Sequence, residues 1–270
     1  MYEILANRVI VEITGSDSSK FLQNLVSNDI IKHKYCYAYM LSSQGRYLFD
    51  FFIYQISNQQ FLIDISQTQV DLFQKKLMLY KLLATLEIAN KEQEYKVLYS
   101  YQALKQKKVL ISNRDPRYKK LGFRSIVAHD INYNKQIANL YLEDKYKFAI
   151  PDGEIDLIYD KAIPVEYGAE ELHAVDYQKG CYVGQEVISR AKYQGVIRKK
   201  IFKVTAKNNL EINRENNESI ASDVNIGILC SSYKNYGIAL IREEKYQSLI
   251  DHKFTVDGQL IELSIPSWRE

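Results

Sequence analysis

Two stretches of the chain combine residue types that can do chemistry. In DYQKGCYVGQEVISR, from Asp176 to Arg190, a single thiol, Cys181, lies between Gly180 and Gly184. Lys179 stands on one side, and Gln185, Glu186 and Arg190 on the other. A cysteine just ahead of a helix start, two residues from a lysine, tends toward a lowered thiol pKa. That makes it a better nucleophile or a better metal ligand. The two glycines would let the backbone take turn conformations that expose the thiol. The plainer alternative is a small residue in a tight turn, with Glu186 and Arg190 as an i,i+4 pair on the helix that follows.

The second stretch is YLFDFFIYQI (47–56), where Asp50 is the only carboxylate among apolar and aromatic residues. Strand alternation sets Asp50 on one face with Leu48, Phe52 and Tyr54, and turns Tyr47, Phe49, Phe51 and Ile53 the other way. An unpartnered buried carboxylate costs several kcal/mol, so it needs a partner or a proton. The partner is either a helix N-terminus or a buried arginine such as Arg46 or Arg124, or a ligand with N–H donors in an aromatic-walled cavity. A complete metal site within the chain is not expected. Cys36, Cys181 and Cys230 are widely spaced, and His33, His129, His173 and His252 stand alone.

The elements that must carry these residues follow from periodicity. RVIVEIT (8–14) alternates as a strand ended by Gly15, and Asp17 or Ser18 can cap a helix on which Phe21, Leu22, Leu25 and Val26 share an apolar face. YCYAYML (35–41), the Asp50 strand beyond the SSQG turn (42–45), and FLIDIS (61–66) read as successive strands, the last two a hairpin through SNQQ. Val70, Phe73, Leu77 and Tyr80 predict a helix to about residue 83, ahead of a strand in ATLEIA. The DPR turn (115–117) leads into the strand GFRSIVAH (122–129), and Ile137, Leu140 and Tyr141 would share one side of a helix. After Gly195 short strands separated by turns indicate a small all-β module, sandwich or barrel. The absence of a βαβ rhythm or a phosphate-binding glycine loop makes the whole α+β.

Bulk properties exclude several functions. The 270 residues carry a formal net charge of +3, too mild for a nucleic-acid protein, and clusters such as VIRKKIFK read as solvated faces. No apolar run approaches the roughly 20 residues of a bilayer span, so no membrane role is expected. An odd count of cysteines without CxxC argues against a disulfide scaffold and for a reducing cytoplasm.

KGCYVGQEVISR resembles the signature of the YgfZ-type folate-binding proteins, a branch of the glycine-cleavage T-protein (aminomethyltransferase) superfamily. FLQNLVSNDI, LSSQGRYLFDFFIY, DPRYKKLGFR and IPVEYGAEELHAVDYQKGCY fit the same pattern. The resemblance implies an α+β, T-protein-like ring of three subdomains around a central pocket. Residues 1–195 would form two interleaved folate-binding subdomains, and 196–270 a C-terminal β-barrel. It implies tetrahydrofolate or a derivative as cofactor, with Asp50, Arg124 and Glu166 facing it. Cys181 and Lys179 would be the working pair, inside a motif completed by Gly180, Tyr182, Gly184, Gln185, Glu186 and Arg190. The implied role is iron–sulfur cluster assembly or repair, with assembly proteins or client enzymes as partners and a weak link to tRNA through tRNA-modifying clients. One exposed thiolate is one ligand, so Cys181 would share a cluster or attack a partner's reactive centre. The resemblance leaves open whether a one-carbon transfer is turned over. Alternatives are an aminomethyltransferase using Asp50, or a cofactor-free scaffold acting through protein or tRNA contacts. One departure concerns YKFAIPDGEID: Lys147 stands where the superfamily has an arginine, and the glycine before the proline is missing.

Overall fold

A computed structural model describes residues 1–131, 136–195, 197–210, 219–221, 224–249 and 253–270; His252 lies outside them. In chain order the elements are β1 (Tyr2–Ile4), β2 (Arg8–Thr14), α1 (Ser18–Leu25), β3 (Tyr35–Leu41), β4 (Tyr47–Ser57), β5 (Gln60–Ser66), α2 (Val70–Lys81), β6 (Glu87–Asn90), β7 (Tyr95–Ser100), β8 (Val109–Arg114) and β9 (Phe123–Ala128). There follow α3 (Leu140–Phe148), α4 (Gly153–Asp156), a 3₁₀ turn (Pro164–Tyr167), α5 (Gln185–Tyr193), β10 (Lys199–Ala206), β11 (Ser219–Ala221), β12 (Asn225–Tyr233), β13 (Tyr236–Arg242), α6 (Glu243–Ser248), β14 (Phe254–Val256) and β15 (Gln259–Ser264).

The strands form an antiparallel sheet β3-β4-β5-β2-β6, a second sheet β1-β7-β9-β8, and a closed barrel β10-β13-β12-β11-β14-β15. The first strand belongs to the second sheet, where Tyr2–Ile4 pair with Leu98–Ser100, so the chain starts in that sheet before it builds the five-stranded one. One face of the five-stranded sheet buries Phe49, Phe51 and Ile53 against α1 and α2. Its other face carries Tyr37, Phe52 and Tyr54 into the core shared with the second sheet, α3, the barrel strands β10 and β13, and Trp268. The centre is therefore packed rather than hollow.

Two expected elements differ. The helix expected to hold Ile137 begins only at Leu140, because Gln136 and Ile137 extend along β1, with the Ile137 amide donating to the Tyr2 carbonyl (2.8 Å). In the C-terminal module, the Glu-rich end of GIALIREE turns into α6 rather than continuing as strand.

Candidate functional site

Asp50 is 4% exposed, and each of its carboxylate oxygens accepts a hydrogen bond. Tyr37 Oη donates to its Oδ2 and Tyr47 Oη to its Oδ1, both at 2.8 Å. Neither partner expected from the sequence, a helix N-terminus or an arginine, takes that place. Tyr47 reaches Asp50 because of a β-bulge. Met40 pairs with Phe49 but Leu41 with Tyr47, so Leu48 is an extra residue that reverses the alternation. Leu48 consequently packs with Phe49 and Phe51 on the far face, and Tyr47 joins Asp50, the reverse of the simple reading. Burial, then the adjacent Asp50 carboxylate, hold both phenols well above their ordinary pKa, so they act as donors and not as acids. Gly153 closes the other side: a Cβ there would lie 2.1 Å from Asp50 Oδ1.

Around Asp50 runs a network of buried charges that the sequence reading missed. Asp64 accepts from Arg8 Nε (2.6 Å) and from Arg124 Nη2 (2.8 Å). Arg117 clasps Asp115 (Nη2, 2.7 Å; Nε, 3.0 Å) and reaches Asp152 (Nη1, 3.0 Å). Lys145 Nζ lies 3.0 Å from Asp156 and 3.4 Å from Asp152. Burial opposes ionisation of Asp64, but Arg124 and Arg8 outweigh it and hold the carboxyl below its ordinary value. Asp152 is likewise held well below the usual carboxylate range: Lys145 and Arg117 outweigh its burial. The guanidiniums also stack on rings, Arg124 4.0 Å from the Phe52 centroid and Arg117 4.9 Å from it. The cavity between Arg8, Asp50, Phe52, Arg124, Tyr141 and Asp152 measures about 20 Å³. That holds one water, whereas pockets for drug-sized ligands run to several hundred Å³.

Lys147 of the YKFAIPDGEID segment is exposed beside Phe148, and the cation turned inward is Lys145, just ahead of that segment on α3. The missing glycine leaves a trace: Ala149 caps α3 in the left-handed region, φ +52°. Arg124 is near Asp50, lining the same small cavity, but its guanidinium is committed to Asp64. Glu166 is not brought to Asp50. It lines a separate cleft with Arg198, Lys199 and Arg242, and burial raises its carboxyl pKa against the opposing pull of Lys199 and Arg46.

The Cys181 turn is built by two inward anchors. Lys179, 5% exposed, donates from Nζ to three backbone carbonyls, Gln23 (2.7 Å), Val26 (2.6 Å) and Asn28 (2.9 Å). Tyr182 is buried beside it, its ring centroid 5.0 Å from Lys179 Nζ. Gly180 and Cys181 are thus held outward, and the Val183 amide fastens the turn to the Asn24 carbonyl (3.2 Å). An ammonium has three protons, and all of them are spent on α1 and its exit, so Lys179 fixes the turn and does not point at the thiol. Gly184 caps α5 at φ +84°, and a Cβ there would lie 2.5 Å from the Ser42 carbonyl. The same Cβ would lie 3.1 Å from Gly45 Cα, so the SSQG turn and the cysteine motif pack on each other. A Cβ on Gly180 would meet nothing within 4 Å, so packing does not demand a glycine there. On α5, Arg190 and Glu186 form the expected pair (2.6 Å), exposed on both sides, and Gln185 Nε2 makes a long contact to the Lys179 carbonyl (3.5 Å). A cleft of about 560 Å³ borders Asp176, Tyr177 and Gln178, with His33, Tyr35 and His173 among its other walls.

Cys181 is exposed, Cys36 is buried and Cys230 half-buried. Among the described residues no three His, Cys, Asp or Glu side chains gather where they could hold a metal ion. Nor is any described helix long and apolar enough to cross a membrane.

Residues 198–270 match the family described as CAF17, C-terminal beta-barrel domain. Over 219 residues the chain is 29% identical to the iron-sulfur cluster assembly factor IBA57 homolog, mitochondrial, of Pyricularia oryzae, covering 74% of this chain and 56% of that protein. It is 26% identical over 301 residues to the iron-sulfur cluster assembly factor IBA57, mitochondrial, of Mus musculus, covering 98% and 84%. The chain thus spans little more than half of the fungal relative and most of the mouse one. In structure it superposes on the glycine cleavage system aminomethyltransferase T from Bartonella henselae, with a TM-score of 0.72, 10% identity, and coverage of 98% and 84%. The fold is therefore that of the T-protein aminomethyltransferases, mixed α and β with a C-terminal β-barrel. The cytoplasmic expectation is overturned: the relatives are named as mitochondrial proteins and point to that organelle. Free thiols argue for a reducing compartment, and they do not distinguish one such compartment from another.

Proposed function

We propose that this chain is a YgfZ-type accessory protein for iron–sulfur cluster assembly or repair, working through Cys181. The observation that carries the reading is one exposed thiol on a turn locked from inside by Lys179 and Tyr182, while Cys36 is buried. The names of the relatives support the iron–sulfur role. The cluster is the cargo. Stable clusters usually take four thiolate ligands, so Cys181 supplies one, after losing its proton to solvent, and a partner supplies the rest. The partner is an assembly protein or a client enzyme, and the link to tRNA runs only through such clients. Lys179 is a positioning residue. The exposed Glu186–Arg190 pair adds little to stability and is free to meet the partner's charges. Residues 1–195 form the partner-facing body and 196–270 the closing barrel.

Tetrahydrofolate is the cofactor that the resemblance implies, with Asp50, Arg124 and Glu166 around it. The residues do not fit a pterin as they stand. Both Asp50 oxygens accept tyrosine hydroxyls, the adjoining cavity is about 20 Å³, and Glu166 lines another cleft. The closed Asp50 site favours the second reading, a cofactor-free scaffold, and weighs against an aminomethyltransferase that needs this carboxylate free.

The test is activity of a client [4Fe–4S] enzyme in cells lacking the endogenous factor, supplied with wild type, Cys181→Ser, Cys36→Ser or Cys230→Ser. Loss with Cys181→Ser alone is expected, and retained activity there would end the cysteine reading. Calorimetric titration with tetrahydrofolate, wild type beside Asp50→Ala, decides between folate-dependent and cofactor-free action.

A further inference from the structure

Among the described residues the barrel holds a group of cations that carboxylates compensate only in part. In the β10–β13 ladder, Lys199 lies directly opposite Arg242. Like charges placed across a strand pair destabilise it, so this register has an electrostatic cost. Arg198 precedes Lys199, and Lys245 stands on α6 immediately after Arg242. These four cations line an open cleft of about 620 Å³ together with Glu166 of the 3₁₀ turn and Glu244.

The described carboxylates nearby neutralise them only in part. Glu243, next to Arg242, is taken up by Arg269 and Lys200, both at 2.6 Å. Lys200 follows Lys199 on the strand and so projects to its opposite face. Among the described residues the guanidiniums of Arg198 and Arg242 have no carboxylate within ion-pair distance. Lys245 gives one of its donors to the Asn225 carbonyl (3.0 Å), which holds the ammonium at the rim. Among the described residues, four cations against two carboxylates leave a surplus of two positive charges in a concave site between barrel and body.

We propose that this cleft binds a phosphate-bearing small molecule. The surplus matches a phosphate monoester, which carries a charge of about −1.5 to −2 at neutral pH. Two guanidinium forks suit phosphate oxygens better than lysines alone would. The volume exceeds what a bare anion fills and lies in the range of ordinary ligand pockets, which points to phosphate carried on a larger body such as a nucleotide. The register then has a reason: the repulsion between Lys199 and Arg242 is offset when an anion arrives.

The test is calorimetric titration of the full chain at low salt with AMP and with inorganic phosphate. Wild type should bind AMP more tightly than inorganic phosphate. The Arg198→Gln/Arg242→Gln variant should lose about tenfold or more, on the scale of a lost charge-assisted hydrogen bond. Lys75→Gln/Lys76→Gln, on the far helix α2, should bind as wild type does. Melting adds a ligand-free readout. Without ligand, Arg242→Gln should melt at the same temperature as wild type or higher, and AMP should raise the melting temperature of wild type and of the α2 variant more than that of Arg242→Gln. No binding by wild type, equal loss in the α2 variant, or a lower melting temperature for Arg242→Gln would each overturn the proposal. Inorganic phosphate binding as tightly as AMP would overturn the assignment to a larger ligand. A short single-stranded RNA that displaces AMP with a steep salt dependence would assign the cleft to a nucleic-acid surface instead.

Discussion

Replacing Lys179 by methionine keeps the length of the stem and removes three donors at once. Gln23 lies in the last turn of α1 and Val26 just past it, so two of the three acceptors are carbonyls that a helix end leaves without partners. Each carbonyl left dry costs about 1–3 kcal/mol, so the three together cost about 6 kcal/mol. The opposing effect is relief from burying a charge. Burial lowers the ammonium from 10.5 to about 8, a cost of about 3 kcal/mol at 1.36 kcal/mol per pH unit. The net loss is about 3 kcal/mol. For a chain of this size that lowers the melting temperature by about 6–10 °C.

Thermal denaturation followed by circular dichroism measures that shift, and client-enzyme activity gives its meaning. A positioning role predicts activity lost near the variant's melting range and regained at lower temperature, with the pH profile of Cys181 alkylation unchanged while both proteins are folded. A melting temperature within about 1 °C of wild type would refute the reasoning, because the three hydrogen bonds would then contribute nothing. A variant that stays folded but shows a shifted alkylation profile would make Lys179 a chemical partner of the thiol.

Three further outcomes follow from the same geometry. Iodoacetamide at pH 8 should label Cys181 first and Cys36 and Cys230 only on unfolding, since burial pushes the Cys36 thiol up to about 12 and Cys230 well above its ordinary value; peptide mass mapping reads the order. Gly184→Ala should cost about 2–4 kcal/mol, through its left-handed φ and the Ser42 carbonyl, and Gly180→Ala less than about 0.5 kcal/mol, as paired melts would show. The pKa values of Asp64 and Asp152 are lowered on folding. The stability these two supply is therefore complete above their unfolded value near 3.9 and lost as pH falls through their folded values, so acid unfolding should set in below about pH 4.

The limits of the sequence reading have local causes. Strand β4 and the isolation of Asp50 were visible in the apolar, aromatic run YLFDFFIYQI. The identity of its partners was not, because one bulged residue, Leu48, exchanges the two faces, and nothing in YLFDFFIY marks it. Asp64 gave a usable signal, a lone carboxylate in FLIDIS like Asp50 in its own strand, and the DPR turn held Asp115 and Arg117 in plain view. Pairing them needed the sheet order, since Arg8, Asp64 and Arg124 come from β2, β5 and β9. Chain proximity misled at Lys179. Two residues from Cys181, it looked like a thiol partner, yet its side chain turns inward while Gly180 and Cys181 turn out. The barrel was legible from its short strands, whereas Glu166 was assigned by motif and its cleft depends on the barrel's register.

The closed centre sets the terms on which any ligand could reach Asp50. The charge network ties β2, β5, β9, α3 and α4 together, and Ser231 of β12 donates to Asp156, so opening it loosens both sheets and the barrel. A ligand that binds only an open form has its affinity reduced by the fraction of molecules that are open. Displacing Tyr37 and Tyr47 sacrifices two hydrogen bonds to a charged acceptor, each worth about 1.5–3 kcal/mol. Tyr37→Phe/Tyr47→Phe removes that obstacle in advance and leaves the carboxylate short of donors. If tetrahydrofolate binds at Asp50, the double variant should bind it about tenfold or more tightly than wild type while melting at a lower temperature. If affinity is unchanged while the melting temperature falls, folate binds elsewhere or the chain acts without it. The hydroxyl pair is then a structural lock on a carboxylate that takes no part in function.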